Sequence, residues 1–280
     1  MAMSKREETI WKEIQAFEES ILQYETNDFV NVYNNWTDQA LSLVPEPAAE
    51  LFFNKLDTWL FHLNSLIQGT QIQNDAREQI LVTGRIFNES IQSIQDLRQL
   101  NADQLKYIAE QHASRHRLYS FLQGGITGTG QALILSTDFL AMLVLNLRAV
   151  QLTAMSYGYD VQIPFEMMTS LKVFHAATLP ARLKGEGWNE LMKDLEVNHH
   201  DSYFYGGNEQ LTNVHWLEEP LKQLVKVFFI ASFSRKTLSR IPLLSMGIGA
   251  VSNYRYTRKV TEFASRYYQY RYLLDKYSAQ

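Results

Sequence analysis

Seven histidines and no cysteine bound the chemistry open to this chain of 280 residues. Disulfides, thiolate catalysis and cysteine-based zinc sites are excluded. His112 and His116 are four apart, so on a helix they share a face and have the spacing of two metal ligands. No carboxylate stands between them as in a zincin, and no third ligand follows at a convincing distance. The pair therefore reads as part of an exposed polar helix face. His199, His200 and Asp201 could join a metal or acid–base site only in a loop. His175, among Val173, Phe174 and Ala176, reads as a core histidine. No three ligands with metal-site spacing can be named, so neither a metal nor another cofactor is expected. The glycine-rich run Gly124 to Gly130 invites a phosphate reading, but it lacks the Gly-Lys-Ser/Thr of a P-loop and follows a helical pattern rather than a strand. Backbone N–H groups at the next helix start could bind an anion. The plainer reading is a tight turn between two helices.

That run opens onto the most apolar stretch, Ala132 to Met155, which carries Asp138, Asn146, Arg148 and Gln151 and ends at Tyr157-Gly158-Tyr159-Asp160. A membrane-spanning helix needs about 20 mostly apolar residues. Here an acid and an arginine interrupt the run, each costing roughly 2.5–3.5 kcal/mol at a bilayer centre. The stretch reads as a central core helix with paired polar groups, the alternative being a helix that lines a site or docks at a membrane. A buried arginine needs an acid, so Arg148 is expected to meet Asp138, Asp160 or Glu166. Asp138, Asn146, Arg148, Gln151, Tyr157, Asp160 and Glu166 form the candidate polar cluster, read as a clamp between helices or as a pocket. Gly158 followed by Asp160 reads as a helix end and a turn.

Charge is unevenly spread. The net charge is −4, yet from Ser234 onward nine basic residues face only Glu262 and Asp275. Tyr254, Tyr256, Tyr267, Tyr268, Tyr270 and Tyr272 interleave with Arg255, Arg258, Lys259, Arg266 and Arg271. Tyrosine and arginine together suit an interfacial helix. These five cations are the candidate contact with a membrane surface or a membrane-protein partner; the alternative is that they pair with the protein's own acidic body. That acidic body argues against nucleic acid.

The elements that must position these residues are helical almost throughout. Ile10, Ile14, Phe17, Ile21 and Tyr24 recur at steps of four and three, and Phe52, Leu56, Trp59, Leu63 and Leu66 repeat the spacing after Pro45 and Pro47. Ile80, Phe87, Ile91 and Ile94 form a looser stripe. Asn101 with Gln104 reads as a capping pair, and Phe165 to Thr178 fits a short helix stopped before Pro180. The glycines between Gly185 and Gly207 suggest a less regular insertion at about 181–216. A second apolar element follows, Leu221 to Val251, and the last helix aligns Val260, Phe263, Tyr267, Tyr270 and Leu274. Strand alternation is absent. The expectation is an all-α single domain over 1–280, two apolar central elements wrapped by amphipathic helices. No secretion signal is legible at Met1 to Glu8, so the chain is expected to be cytoplasmic.

Several short motifs, in order, resemble the EcsC family. They are Glu7-Glu8-Thr9-Ile10-Trp11-Lys12-Glu13-Ile14, Gly128 with Gly130, and Asn146-Leu147-Arg148-Ala149-Val150-Gln151 followed by Tyr157-Gly158-Tyr159-Asp160. Arg240-Ile241-Pro242 with Gly247, Gly249 and Asn253 completes the set. The resemblance implies a predominantly helical bacterial protein, cytoplasmic or peripheral to the membrane, in a family whose namesake is encoded beside an ABC transporter. It implies no active site. The function expected is therefore non-enzymatic, at the cytoplasmic membrane face and accessory to a transporter. Two rivals stay open: a hydrolase using histidines and carboxylates, and a module binding an apolar ligand or lipid between its central helices.

Overall fold

The computed structural model describes residues 3–23, 62, 64–65, 67–127, 132–198 and 242–278, and the side chains of all of these except 124–127, 132–140, 196–198, 242–249 and 278. Seven α-helices of three turns or more are described: α1 (Lys5–Leu22), α2 (Gln71–Phe87), α3 (Ala102–Thr127), α4 (Ala132–Ser156), α5 (Pro164–Thr178), α6 (Lys184–Asn198) and α7 (Pro242–Ser278). Short 3-10 turns occupy Gln95–Gln99 and Ala181–Leu183, and no strand occurs among the described residues. The fold is all-α.

Local chemistry starts these helices where the residues dictate. Ser4 and Glu7 form a reciprocal capping box on α1, which satisfies two backbone donors that a helix start leaves open. Asn101 and Gln104 do the same for α3, each side chain accepting from the other's backbone N–H at 3.0 Å. Thr70 caps α2, and Pro164 fills the first position of α5, where its missing N–H costs nothing.

α3 and α7 run antiparallel through the centre. Three cross-links set their register: Tyr272 Oη donates to the Leu100 carbonyl at 2.7 Å, Arg117 Nε to Thr261 Oγ1 at 3.1 Å, and Ser120 Oγ to the Asn253 carbonyl at 2.9 Å. α4 lies against both, α5 against α4 and α7, α6 against α5, and α1 across α6 and α7. Val260, Phe263 and Tyr267 of α7 are buried as their spacing predicts, with Tyr270 partly so. Trp188 of α6 packs edge-on between Phe17 and Phe263 and donates to Glu18 at 3.2 Å. This closes the aromatic end of the core.

Some elements differ from the sequence expectation. Ile80, Ile91 and Ile94 are buried, but α2 ends at Phe87, so the last two reach the core from the following turn rather than from one helical stripe. α3 continues through Gly124 and Gly125 to Thr127, so the tight turn does not begin there; Gly128 to Gly130 lie outside the described residues. The region expected to be irregular from about 181 starts instead with a 3-10 turn and the regular helix α6. Gly187 in α6 permits close approach, since a Cβ there would stand 2.7 Å from Leu179 and 3.1 Å from Ala176. The rest of that region, the segment 24–61 and the apolar element before Pro242 are outside the described residues. No described helix is long and apolar enough to cross a membrane.

α4 ends as its sequence implies. The Tyr159 N–H bonds the Ala154 carbonyl and the Gly158 N–H the Met155 carbonyl, both at 3.0 Å, a Schellman closure with Gly158 at φ +85°. A Cβ at Gly158 would also stand 2.6 Å from Arg98 Cγ and 3.2 Å from the Arg98 backbone nitrogen. Gly158→Ala is expected to cost about 1–2 kcal/mol for the left-handed backbone alone, plus the displacement of Arg98. Chemical denaturation checks this, and a change below about 0.5 kcal/mol, the size of a neutral surface change, would contradict it.

Candidate functional site

The turn after α4 is the densest polar contact described. Asp160 accepts from both terminal nitrogens of Arg77 on α2 at 2.6 Å and, through Oδ1, from the Gln162 backbone N–H at 3.1 Å. Beside it, Arg271 of α7 makes two parallel bonds to Glu166 of α5, at 2.6 and 2.7 Å, with both side chains buried. The fork geometry matches a carboxylate, which makes such pairs stronger and more directional than a single contact. Both Arg271 and Arg98 lie over the Tyr159 ring, their guanidinium carbons 4.0 and 4.4 Å from its centroid. Arg98 also donates from Nε to the Gly158 carbonyl at 3.0 Å and approaches Glu166 at 4.0 Å. Tyr159 Oη donates to Asp275 at 2.9 Å. Burial alone would lower the Arg271 pKa, but Tyr159 and Glu166 outweigh it and hold the guanidinium charged. Burial pushes the Tyr159 phenol well above its ordinary range.

Arg148 belongs elsewhere. Its expected acid partner is not found among the described side chains. Half-buried, it donates from Nε to Gln73 Oε1 at 3.0 Å and from a terminal nitrogen to the Ile72 carbonyl at 2.9 Å. Neutral acceptors suffice because its other edge reaches solvent. Burial lowers its pKa, with Tyr119 opposing. One turn on, Gln151 donates to Asn64 at 2.6 Å and accepts from Gln68 at 3.1 Å. Asn146 turns its amide back to the Met142 carbonyl at 2.8 Å. Tyr157 is fully buried toward Ser265 and Gln269 of α7, and burial raises its pKa. The side chain of Asp138 lies outside the described ones. The candidate cluster thus divides into an ionic corner holding Asp160 and Glu166, and an amide seam holding Arg148 and Gln151. Asn146 and Tyr157 are core contacts.

His112 and His116 are not on an exposed face; both are buried. α3 is enclosed by α4 and α7, so this side of the helix has no access to water. The His116 Nδ1 lies 3.1 Å from the His112 carbonyl and so carries the proton, leaving Nε2 as its lone-pair nitrogen. Burial first, then His116, Arg115 and Arg148, lowers His112 to about 4. Burial, with Arg148, lowers His116 to about 4 against the His112 carbonyl contact. His175 is half-buried among core residues of α5, and burial likewise lowers it to about 4. No three potential metal ligands gather among the described residues; His199, His200 and Asp201 are outside them.

The five cations assigned to a contact surface also divide. Arg271 is in the buried corner. Arg266 bonds Glu13 of α1 at 2.6 Å, where Lys106 joins at 3.0 Å. Neither is available to an external partner, because the tyrosine-rich half of α7 is core rather than surface. Arg255, Arg258 and Lys259 are exposed and form no ion pair among the described residues. Sequence reasoning did not identify Arg77, Arg98 and Gln73 as partners. Arg77 and Gln73 lie four apart on the inner side of α2, the one available signal, but their partners are 83 and 75 positions away.

The EcsC protein family matches residues 8–273. The chain belongs to the EcsC family. A relative, the Bacillus subtilis (strain 168) protein described as "Uncharacterized protein YdbA", is 24% identical over 249 residues, covering 86% of this chain and 87% of that protein. No solved structure matches. The ionic corner and the amide seam of this EcsC chain both fall inside the matched span.

Two outcomes are expected. Arg271→Ala strands the Glu166 carboxylate in the core and should cost about 3–5 kcal/mol. Arg148→Ala removes bonds to neutral, partly wet acceptors and should cost about 1 kcal/mol. Urea or thermal unfolding of the two variants checks the order, which a reversal would refute. The second outcome concerns pH. The histidine pKa values are lowered on folding, from 6.5 to about 4 for His112 and His116. The unfolded chain therefore binds the extra protons, so their contribution is complete above pH 6.5 and declines as pH falls toward 4. Glu7 titrates lower: burial raises its pKa, but Lys276, Ser4 and Tyr277 outweigh that and hold it at about 2. Stability measured between these limits should fall with acid, and less steeply in a His112→Asn, His116→Asn variant. Parallel profiles would contradict the assignment.

Proposed function

We propose that this EcsC-family chain is a non-enzymatic protein that associates peripherally with an anionic membrane face through the exposed cations of α7. One observation carries the reading: Arg255, Arg258 and Lys259 lie within one turn of each other, exposed, with no ion-pair partner among the described residues. Few acids stand near them among the described residues: from Gln111 to Thr127 of α3 and from Pro242 to Thr261 of α7 there is no aspartate or glutamate, the acid that follows, Glu262, forms no ion pair with them, and Arg115 adds a further cation. Near an anionic leaflet each cation contributes about 1 kcal/mol, screened over a Debye length of about 10 Å at 0.1 M salt. The family resemblance adds an ABC transporter as the membrane protein beside which the chain would act, at the cytoplasmic face. The hydrolase alternative draws no support from the described residues, whose Asp160 and Glu166 carboxylates are held in bidentate arginine pairs and whose His112 and His116 are buried.

Vesicle flotation tests the proposal. The protein is expected to float with phosphatidylglycerol-containing vesicles at low salt and not with phosphatidylcholine alone. Replacing Arg255, Arg258 and Lys259 by glutamine should weaken the low-salt partition by about 100-fold, three contributions of about 1 kcal/mol. Equal binding by this variant, or equal binding to neutral vesicles, would overturn the reading.

A further inference from the structure

Beside those cations the bundle exposes apolar side chains that a soluble helix face does not need. Leu118 and Phe121 of α3 are 54% and 40% exposed, and Val251 and Tyr254 of α7 are 42% and 37% exposed. Scattered exposed apolar residues are ordinary, whereas a contiguous patch marks a contact. The cross-links between the two helices place Phe121, Val251 and Tyr254 along one flank, with Leu118 next to Phe121 farther round α3. The Ser120 hydroxyl bonds the Asn253 carbonyl at 2.9 Å and accepts from Thr257 Oγ1 at 2.7 Å, which sets the α3 level of Leu118 to Phe121 beside the α7 level of Val251 to Arg258. Arg117 reaches Thr261 at 3.1 Å, which marks the flank on which the two helices present side chains together. On α3 that flank continues one turn later at Phe121, and Leu118, one turn before Phe121, lies farther round the helix and away from α7. On α7 it runs back by turns through Arg258 and Tyr254 to Val251.

We infer that Leu118, Phe121, Val251 and Tyr254 form an apolar wedge that enters the headgroup–acyl boundary of an anionic bilayer, seated there by Arg255, Arg258 and Lys259. The inference rests on the membrane reading proposed above and adds insertion to what would otherwise be a purely electrostatic contact. Charge complementarity decides the occupant. The apolar patch is built from helix segments free of acids as far as Thr261, the three exposed cations outnumber the one exposed acid, Glu262, that follows them, and Arg258 stands on the same flank as Tyr254, so the surface that fits it is apolar within and negative at its rim. An anionic leaflet has that arrangement. Tyrosine belongs at such a depth, ring among the upper acyl carbons and hydroxyl at the headgroups. Insertion predicts a component of binding that salt does not remove, because apolar transfer is not screened as charge attraction is.

The test uses the full chain and vesicles of phosphatidylglycerol with phosphatidylcholine, at low salt and near half-molar salt. A Leu118→Ser, Phe121→Ser variant changes two exposed positions and its folding is checked by thermal unfolding. A Tyr254→Trp variant reports depth, through quenching by lipids brominated along the acyl chain. The wedge requires residual binding of the parent at high salt, loss of about tenfold or more for the serine variant at both salts, and tryptophan quenching by shallow bromines. A serine variant that binds like the parent, while the Arg255, Arg258 and Lys259 glutamine variant fails at low salt, overturns the wedge and leaves the electrostatic reading standing. Absence of any parental binding overturns both. A parent that is dimeric in solution, with a monomeric serine variant and no quenching, assigns the patch to a second copy of the chain and also overturns the wedge.

Discussion

The buried pair of Arg271 and Glu166, with Tyr159 against the guanidinium, is the contact on which the arrangement of α7 depends. Glu166 belongs to α5, Arg271 to α7, and Tyr159 to the turn between α4 and α5. Arg98 and Asp275 extend the same corner to the 3-10 turn before α3 and to the last turns of α7. Such a pair contributes little net stability against an apolar replacement, since desolvation offsets most of the attraction. Its effect is on arrangement. α7 is a 37-residue helix whose aromatic side chains could pack at more than one register against α3. A fork-to-fork pair inside the core is satisfied at only one.

That register has a consequence for the other end of the helix. With Arg271 inside, Tyr267, Phe263 and Val260 also face the core, and Arg266 turns to Glu13 on α1. Among the described side chains, the stripe left outward in the first half of α7 is then Val251, Tyr254, Arg255, Arg258 and Lys259. One helix therefore serves as core at its C-terminal half and as surface at its N-terminal half. Among the described cations of α7 the charge is divided accordingly: Arg266, Arg271 and Lys276 pair with acids of other helices, and Arg255, Arg258 and Lys259 face solvent.

Much of this was legible from residue pattern, and the limits are physical. Capping pairs, the α4 terminus at Gly158 and the inner face of α7 depend on neighbours within a few positions, and Asn101 with Gln104 or Gly158 before Asp160 record them directly. Ion-pair partners do not. Arg148 and Arg271 look alike as arginines among apolar residues, yet one meets amides and the other a carboxylate, because that is decided by which helices cross there. His112 and His116 misled for a related reason. Their neighbours Gln111, Ser114 and Arg115 give α3 a polar appearance, but α4 and α7 cover the side on which the two histidines lie, and a helix covered that way buries some of its polar positions. The assignment of Arg266 and Arg271 to a contact surface failed because composition locates a basic region without saying which of its sides is covered.

The central claim, that the Arg271–Glu166 pair fixes α7 as one coupled unit, is tested most directly by a double-mutant cycle in chemical denaturation. The variants are Arg271→Leu, Glu166→Leu and the two together. Each single change leaves a charge alone in the core, so each should cost about 3–5 kcal/mol, while the double change removes both charges and should cost far less than the sum. A coupling energy of about 2 kcal/mol or more is the result this account predicts. Additive costs, with coupling below about 0.5 kcal/mol, would show that the two side chains do not act as a pair and would contradict it.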